Sequence, residues 1–235
     1  MFSQVPDLKG LQVLDAGCGD GTYVIEASRR GAIVTGLDSS FPMLVAARQR
    51  EHSSLGKAEV LWCHGRAEAP PFQEASFDLV IAITLLCLVQ SPRQVVGELA
   101  RVLRPGGTLL LGELGRFSAW AVVRRTRAWL GSGSWKQAHF WTTRELQALL
   151  DDAQLDVKSI RGAVYYPPLA LCARLALRYD RLLSVLGGYG AAFLAMKAVK
   201  RQPVPLEFCI RKGTWVRRIG HRGEQHDRGD VPSSA

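Results

Sequence analysis

The sequence predicts an α/β fold built on a doubly wound, mostly parallel sheet. Three observations support this fold: apolar strands alternate with helical segments, a glycine-rich turn follows the first strand, and the second strand ends in an acidic residue. Strands that alternate with helices favour a parallel sheet, because each parallel connection has to cross back over it. With 235 residues and 47% hydrophobic content, the chain is long enough for one well-cored domain.

The predicted elements follow one another in a regular order. Short apolar runs predict strands at 11–15, 32–38, 58–64, 77–83, 107–113 and 155–161. Helices are predicted near 22–30, 41–51 and 92–103. A capping box at Thr142 to Glu145 predicts the start of another helix, with Leu146, Leu149 and Leu150 on one face. Residues 190–199 are placed as a last strand, although their apolar run fits a helix as well.

The turn after the first strand has the composition of a ligand-binding loop. The run from Val13 to Gly21 is an apolar strand containing Asp15, followed by Gly17, Gly19 and Gly21. Glycines let the backbone approach a ligand closely, and the next helix begins with N–H groups that lack helical partners. The pattern predicts a cofactor-binding turn, and a plain strand-to-helix turn is the alternative.

The second strand indicates which cofactor fits. It ends in Asp38, and an acid there can accept hydrogen bonds from both ribose hydroxyls. A helix cap is its alternative role. Thr22 stands where the dinucleotide pattern has its third glycine, and Asp15 and Asp20 flank the loop. These charges disfavour a pyrophosphate and favour an ammonium or a sulfonium. The loop therefore favours S-adenosylmethionine over NAD, and a nicotinamide-dependent oxidoreductase is the disfavoured alternative.

Several further motifs stand in register with this loop. They are Gly36 to Ser40 with Met43, Ala67 to Phe72 ahead of Ser76 to Val80, and Arg101 to Leu109. On these residues the chain resembles the class I S-adenosylmethionine-dependent methyltransferases (methyltransferase type 11), in particular the group related to ubiquinone and menaquinone C-methyltransferases. The resemblance covers roughly residues 11 to 160. It implies a Rossmann-like, seven-stranded sheet whose last strand is antiparallel.

The resemblance also implies cofactor contacts. Asp15 is expected to hold the methionine end, Asp38 to bridge the ribose hydroxyls, and Ser39 and Met43 to border the adenosine. The expected cofactor-binding residues are Asp15, Gly17, Cys18, Gly19, Gly21, Asp38, Ser39, Met43, Ala67, Glu68 and Thr84.

Adenine recognition departs from the family pattern. Many relatives carry Gly-Asp-Ala, whose acid accepts a hydrogen bond from the adenine amino group. Here Arg66 replaces that acid between Gly65 and Ala67, and an arginine cannot accept the bond. The Ala67 backbone N–H and the Glu68 carboxylate are the remaining candidates.

The catalytic residue is unknown from sequence, and Glu113 and His139 are weak candidates. Glu113 ends the fifth strand. Its possible roles are a base, a substrate anchor or an ordinary solvated carboxylate. His139 precedes the capped helix, and an isolated histidine is more often structural. Cys87 stands where similar proteins often have histidine, and as a small buried apolar residue it needs no function. No metal site or disulfide framework is predicted, because the five cysteines show no C-x-x-C pair.

The domain organisation is one methyltransferase domain over 1–200 and a basic, partly disordered tail over 201–235. Helical insertions after the fifth and sixth strands, near 116–141 and 167–188, are expected to cover the substrate. Neither a signal peptide nor an apolar run of about 18 residues is evident, so a cytoplasmic location is expected.

The expected reaction is transfer of a methyl group from S-adenosylmethionine to a small or amphipathic molecule, by an in-line displacement that depends on alignment. An RNA methyltransferase is the first alternative because of the pI near 9.7, although nucleic acid is not favoured, since no RNA-binding module is recognised. A non-catalytic partner subunit that keeps the cofactor fold is the second. The basic aromatic stretch 117–130 leaves peripheral membrane contact open, and the oligomeric state is not predicted.

Overall fold

The computed structural model describes most of the chain up to residue 202 and two strands beyond it. The described residues are 5, 7–54, 60–118, 120, 121, 123, 138–164, 190–202, 207–211 and 214–218. The insertion expected near 167–188 and most of the one expected near 116–141 lie outside these residues.

Seven strands form one sheet, in the spatial order β3-β2-β1-β4-β5-β7-β6. They are β1 (Gln12–Ala16), β2 (Ile33–Asp38), β3 (Leu61–His64), β4 (Phe77–Ile83), β5 (Leu103–Leu114), β6 (Leu155–Ala163) and β7 (Phe193–Lys200). Strands β1 to β5 pair in parallel, and β7 is antiparallel to both β5 and β6. The predicted sheet and its antiparallel last strand are confirmed. The ambiguous apolar run before residue 200 is a strand from Phe193 onward.

The described helices lie where the sequence predicts them. They are α1 (Thr22–Arg29), α2 (Phe41–Ser54), α3 (Pro92–Val102) and α4 (Thr143–Asp152). The predicted capping box at the start of α4 is confirmed. The Thr142 hydroxyl accepts a hydrogen bond from the Glu145 N–H, and the Glu145 carboxylate accepts one from the Thr142 N–H.

Helices cover both faces of the sheet. Along β4 and β5 neighbouring residues belong to different hydrophobic clusters, because successive side chains point to opposite faces. Val80 and Leu109 pack in the cluster that contains α3 and α4 residues, and Leu79 and Leu110 pack in the cluster that contains α1 and α2 residues. A sheet buried on both faces explains why these strands are continuously apolar.

The fifth strand begins earlier than predicted. β5 starts at Leu103, directly after α3, and pairs there with Phe77 before the register shifts. The Pro-Gly-Gly turn therefore lies inside the strand: Gly106 has a φ of 80°, and a Cβ on Gly107 would come within 2.8 Å of the Arg104 carbonyl oxygen. The sequence predicts a turn ahead of the strand, whereas in the structure this turn is an irregularity within β5.

Residues from Gln202 onward form a second unit. Within it, β8 (Glu207–Arg211) pairs with β9 (Thr214–Arg218) in antiparallel fashion. This hairpin was not among the predicted elements. Over the described part of the chain, no helix has the length and apolarity that a membrane span requires.

Candidate functional site

The order of strands creates a crevice at the carboxyl ends of β1 and β4, where consecutive connections leave in opposite directions. A cleft of about 610 Å³, the glycine-loop cleft, opens there. Most of the predicted cofactor residues line it, namely Gly17, Gly19, Asp38, Ser39, Met43, Ala67, Glu68 and Thr84. The structure therefore brings together residues from four separate parts of the sequence. Asp15, Cys18 and Gly21 are not in the described lining.

The glycine loop folds back onto the end of β2. The Gly17 and Cys18 N–H groups donate to the Leu37 carbonyl oxygen at 2.8 and 3.0 Å, and the Gly19 N–H donates to Asp38 Oδ2 at 2.8 Å. These amides are already used within the protein. These three N–H groups are not free to bind a ligand, so the loop is poorly suited to a pyrophosphate, which needs such donors.

Two glycines are required by a tryptophan that the sequence analysis missed. A Cβ on Gly21, where φ is 78°, would lie 2.7 Å from the Trp62 ring, and one on Gly36 would also lie 2.7 Å from it. The indole Nε1 donates to Glu51 Oε2 at 2.7 Å, which fixes the ring. Gly36 and Trp62 are paired in the β2 and β3 register, so a glycine opposite an aromatic was the available signal.

Asp38 is held at the rim of the cleft by two hydrogen bonds. Its Oδ2 accepts from the Gly19 N–H and its Oδ1 accepts from the Ser40 N–H, each at 2.8 Å. An ionised carboxylate has about four acceptor positions, so each oxygen retains one. The side chain is preorganised and still able to accept from two hydroxyl groups.

Asp15 is buried beneath the loop, 1% exposed, and its Oδ2 has no hydrogen-bond partner. Burial, and secondarily the negative charge of Asp38, raise the pKa of Asp15 to about 7. By contrast Asp20 forms an ion pair with Arg50 at 2.7 Å. Among the described residues, the carboxyl groups without a cationic partner near the glycine loop are therefore Asp15 and Asp38, whereas Asp20 is paired with Arg50.

The adenine end predicted from sequence contains an ion pair. Arg66 Nη2 lies 3.0 Å from Glu68 Oε1, and the Gln94 side chain donates to the Glu68 carbonyl oxygen at 2.9 Å. Ala67 is buried between them. Arg66 thus orients the Glu68 carboxylate. Glu68 is the candidate acceptor for the adenine amino group, because Arg66 replaces the acid that many relatives carry.

The turn after β4, residues 84–88, forms another wall of the cleft. Thr84 has a φ of 52°, and its N–H donates to the Gly112 carbonyl oxygen at 2.6 Å. Leu85 packs so closely on the glycine loop that a Cβ on Gly17 would come within 2.9 Å of it. The cofactor loop and this turn are therefore in direct contact.

Glu113 lies behind that turn and is fully buried. Its Oε1 accepts from the Leu86 N–H at 2.7 Å, Cys87 also donates to the carboxylate, and Oε2 has no partner. Burial raises the pKa of Glu113 to about 7 against the lowering effect of these bonds. The alternative of a solvated carboxylate is wrong, because the β5 backbone directs the side chain into the core.

A second cleft of about 610 Å³ adjoins the ends of β5 and β7. Trp141, Phe117, Arg116 and Arg144 are among the residues that line it. His139 lies beside it: its N–H donates to the Cys87 carbonyl oxygen at 2.9 Å, and its ring contacts that of Trp141 at 4.3 Å between centroids. The described lining of neither cleft includes Glu113 or His139.

Comparison with known proteins identifies the family. The family model described as a methyltransferase domain matches residues 14–111. A ubiquinone biosynthesis O-methyltransferase of Idiomarina loihiensis is 31% identical over 165 residues, which cover 68% of this chain and 68% of that relative. The chain belongs to the class I S-adenosylmethionine-dependent methyltransferase family.

Other similarities cover more of the chain and show its fold. An uncharacterized protein of Mycobacterium tuberculosis is 31% identical over 192 residues, 82% of this chain. The chain spans about 61% of the length of that relative. A solved S-adenosylmethionine-dependent methyltransferase from Thermotoga maritima superimposes with a TM-score of 0.62 and 23% identity, covering 83% of this chain and 84% of the other. The methyltransferase fold expected from the motifs is confirmed.

Proposed function

We propose that this protein binds S-adenosylmethionine in the glycine-loop cleft and catalyses transfer of its methyl group to a small or amphipathic acceptor. The observation that supports this most directly is the arrangement of Asp38 at the cleft rim, fixed by Gly19 and Ser40 and retaining acceptor capacity on both oxygens. A neighbouring pair of hydroxyls, as in a ribose, matches that capacity.

The residues present fit a cationic nucleoside. Asp15 is a buried carboxyl group with an unpartnered oxygen, which favours a positively charged group nearby. Three loop amides are already occupied, which disfavours an anionic pyrophosphate. Arg66 departs from the family pattern, but the Glu68 carboxylate beside it provides an acceptor for an amino group. On this evidence, Asp15 serves the methionine end, Asp38 the ribose and Glu68 with Ala67 the base.

The chemical work of the chain itself is binding, alignment and exclusion of water. S-adenosylmethionine, when bound, supplies a methyl group on a positively charged sulfur. Gly17 and Gly19 allow close backbone approach, and Leu85 and Leu88 provide an apolar wall. The two catalytic candidates, Glu113 and His139, line neither described cleft. No general base is therefore assigned. Alignment of a nucleophile in a dry pocket then supplies most of the rate enhancement.

The second cleft supports an amphipathic acceptor. It combines aromatic surface from Trp141 and Phe117 with the cationic side chains of Arg116 and Arg144. Arg116 is paired with Glu145 at 2.9 Å, and Arg144 is an exposed cation among the described residues of this wall. An aromatic or aliphatic molecule that carries an acidic or phenolic oxygen suits such a lining. The I. loihiensis relative, named for O-methylation in ubiquinone biosynthesis, is consistent with a phenolic acceptor.

We also infer a reducing, cytoplasmic site of action. Cys18, Cys63 and Cys87 form no disulfide within the described part of the chain. Free buried cysteines are typical of proteins that remain in a reducing compartment. Fractionation of cells that express the full protein, followed by immunoblotting, tests this location.

Calorimetry with the full-length protein tests the cofactor. S-adenosylhomocysteine and S-adenosylmethionine are expected to bind, and NAD under the same conditions is expected not to bind. Failure of both sulfur nucleosides to bind at millimolar concentration would refute the proposal. A radiolabelled methyl-transfer screen, with phenolic acids and quinols in one arm and total RNA in the other, then distinguishes the acceptor classes.

A further inference from the structure

The turn after β4 lines one cleft and is hydrogen-bonded to the segment that leads into the other. Thr84, Leu85 and Leu88 line the glycine-loop cleft, and the Cys87 carbonyl oxygen accepts a hydrogen bond from the His139 N–H. The segment that begins at residue 138 continues directly into Trp141 and the start of α4, which line the second cleft. The turn therefore stands between the glycine-loop cleft and the residues that border the second cleft.

This turn is held both by bonds within it, including Cys87 Sγ to the Thr84 carbonyl oxygen at 3.3 Å, and by the burial of Leu86 and Cys87 in the core. Thr84 adopts a left-handed backbone conformation that is uncommon for a β-branched residue. Short bonds inside the turn, such as Leu88 N–H to the Leu85 carbonyl oxygen at 3.0 Å, do not fix it to the sheet. Attachment to the sheet comes from β5, through the Thr84 N–H bond to Gly112 and the Leu86 N–H bond to Glu113.

We infer that Glu113 is a positioning residue, whose buried carboxylate holds the turn 84–88 in place as a wall of the glycine-loop cleft and as a support for the segment that leads into the second cleft. The functional part of the inference rests on the proposed function, because it concerns cofactor affinity. Glu113 reaches the turn across 27 residues of sequence and accepts from its Leu86 N–H at 2.7 Å. Cys87, the next residue, donates to the same carboxylate. Its carbonyl oxygen accepts the hydrogen bond from the His139 N–H.

A carboxylate suits this position better than an apolar side chain would. The Leu86 N–H is in a buried setting, and without Glu113 it would lose its acceptor. Above its pKa of about 7 the Glu113 carboxyl group is charged, and a hydrogen bond to a charged acceptor is shorter and stronger than one to a neutral amide. The Oε2 atom has no partner, so burying this carboxyl group in the core carries a cost.

Hydrogen exchange by mass spectrometry on the full-length protein tests the inference without requiring activity. Glu113→Ala is expected to accelerate amide exchange about tenfold in residues 84–88 and 138–142, relative to α1, because a buried hydrogen bond to a charged group is removed. Glu113→Gln keeps an acceptor oxygen but not the charge, so its exchange is expected to lie between that of alanine and wild type. Leu110→Ala, a buried truncation on the same strand and the opposite face, is the matched control.

The outcomes separate positioning from general stability. The inference is supported if the Glu113 variants lose protection only in residues 84–88 and 138–142, and if Leu110→Ala does not show this pattern. It is overturned if all variants lose protection in the same pattern. If the alanine variant does not fold, Glu113→Gln decides, and unchanged exchange at 84–88 overturns the inference.

Cofactor affinity provides the second measurement. S-adenosylhomocysteine is expected to bind Glu113→Ala about tenfold more weakly than wild type, with glutamine restoring most of the loss. If the wild type itself does not bind this nucleoside, the proposed function fails, while the exchange experiment still judges the positioning role. If the wild type binds and the alanine variant binds equally well, the inference fails and the proposed function stands.

Discussion

Asp38 Oδ2 accepts a 2.8 Å hydrogen bond from the backbone N–H of Gly19, which joins the carboxyl end of β2 to the loop that follows β1. The same carboxylate accepts from the Ser40 N–H, ahead of α2. The proposed ribose acceptor and the glycine loop are therefore one structural unit. Changes at Asp38 are expected to affect both the position of the loop and the binding of ligand.

Replacement of Asp38 is expected to weaken cofactor binding strongly. Asp38→Ala should reduce the binding free energy of S-adenosylhomocysteine by about 1–3 kcal/mol, because hydrogen bonds to a charged acceptor are lost. Isothermal titration calorimetry measures the effect. Asp152→Ala, which removes an exposed carboxylate at the end of α4, is the control and should leave affinity unchanged. Equal affinities in wild type and Asp38→Ala would contradict the ribose assignment.

The buried carboxyl group of Asp15 predicts a cost in stability that depends on pH. Burial raises its pKa from 3.8 to about 7 in the folded protein. Between these values the folded state holds a proton that the unfolded state has released, so this contribution to stability falls as pH rises and is lost above about pH 7. Glu113, whose pKa is also raised by burial, acts in the same direction.

Asp15→Asn is therefore expected to remove part of this pH dependence. Urea unfolding of the ligand-free proteins should show the variant gaining about 1–3 kcal/mol relative to wild type between pH 4 and pH 8. The same variant should bind S-adenosylhomocysteine more weakly, because the negative charge under the loop is gone. A parallel pH dependence in the two proteins would show that Asp15 does not titrate in this range.

The local parts of the site could be predicted from sequence, and the long-range contacts could not. The glycine loop, Asp38 and the capping box at Thr142 are short patterns whose geometry is set by neighbouring residues. The contact of Glu113 with Leu86 depends on how two strand ends meet, and no local pattern reports it. The same applies to Trp62, which fills the space beside Gly21 of the loop and Gly36 of β2 from a strand at the sheet edge.

Electrostatic expectations from sequence also needed the fold. Asp20 belongs to the acidic loop in sequence, but its ion pair with Arg50 depends on α2 lying alongside that loop. A glutamate at the end of a strand is expected to be solvated, but the β5 backbone directs the Glu113 side chain into the core. Sequence alone gives the sign of a charge near a site, whereas burial and pairing decide how much of that charge a ligand meets.

The two glycines Gly21 and Gly97 are predicted to respond oppositely to alanine. Gly21 has a φ of 78°, and an added Cβ would lie 2.7 Å from the Trp62 ring, so Gly21→Ala should destabilise the protein by about 1–3 kcal/mol. Gly97 lies exposed in α3 with open space around it, so Gly97→Ala should stabilise by about 0.5–1 kcal/mol. Urea unfolding of both variants gives the comparison.

A double-mutant cycle identifies the source of the Gly21 effect. In a Trp62→Phe background the ring is smaller, so Gly21→Ala should cost less than in the wild type, and the coupling should be about 0.5–3 kcal/mol. The backbone strain at positive φ remains in both backgrounds. Strict additivity would mean that the tryptophan does not limit the loop.

Removal of the capping box at α4 should lower stability without affecting cofactor binding. The Thr142 hydroxyl accepts from the Glu145 N–H at 3.2 Å, and Thr142→Ala leaves that N–H without its cap, at an expected cost of about 1 kcal/mol. Arg144→Ala in the same turn removes an exposed side chain and should change stability by less. Urea unfolding measures both, and calorimetry with S-adenosylhomocysteine should give wild-type affinity, because α4 borders the second cleft and not the glycine-loop cleft. Weaker binding of this nucleoside by Thr142→Ala would show that the two clefts are coupled through the start of α4.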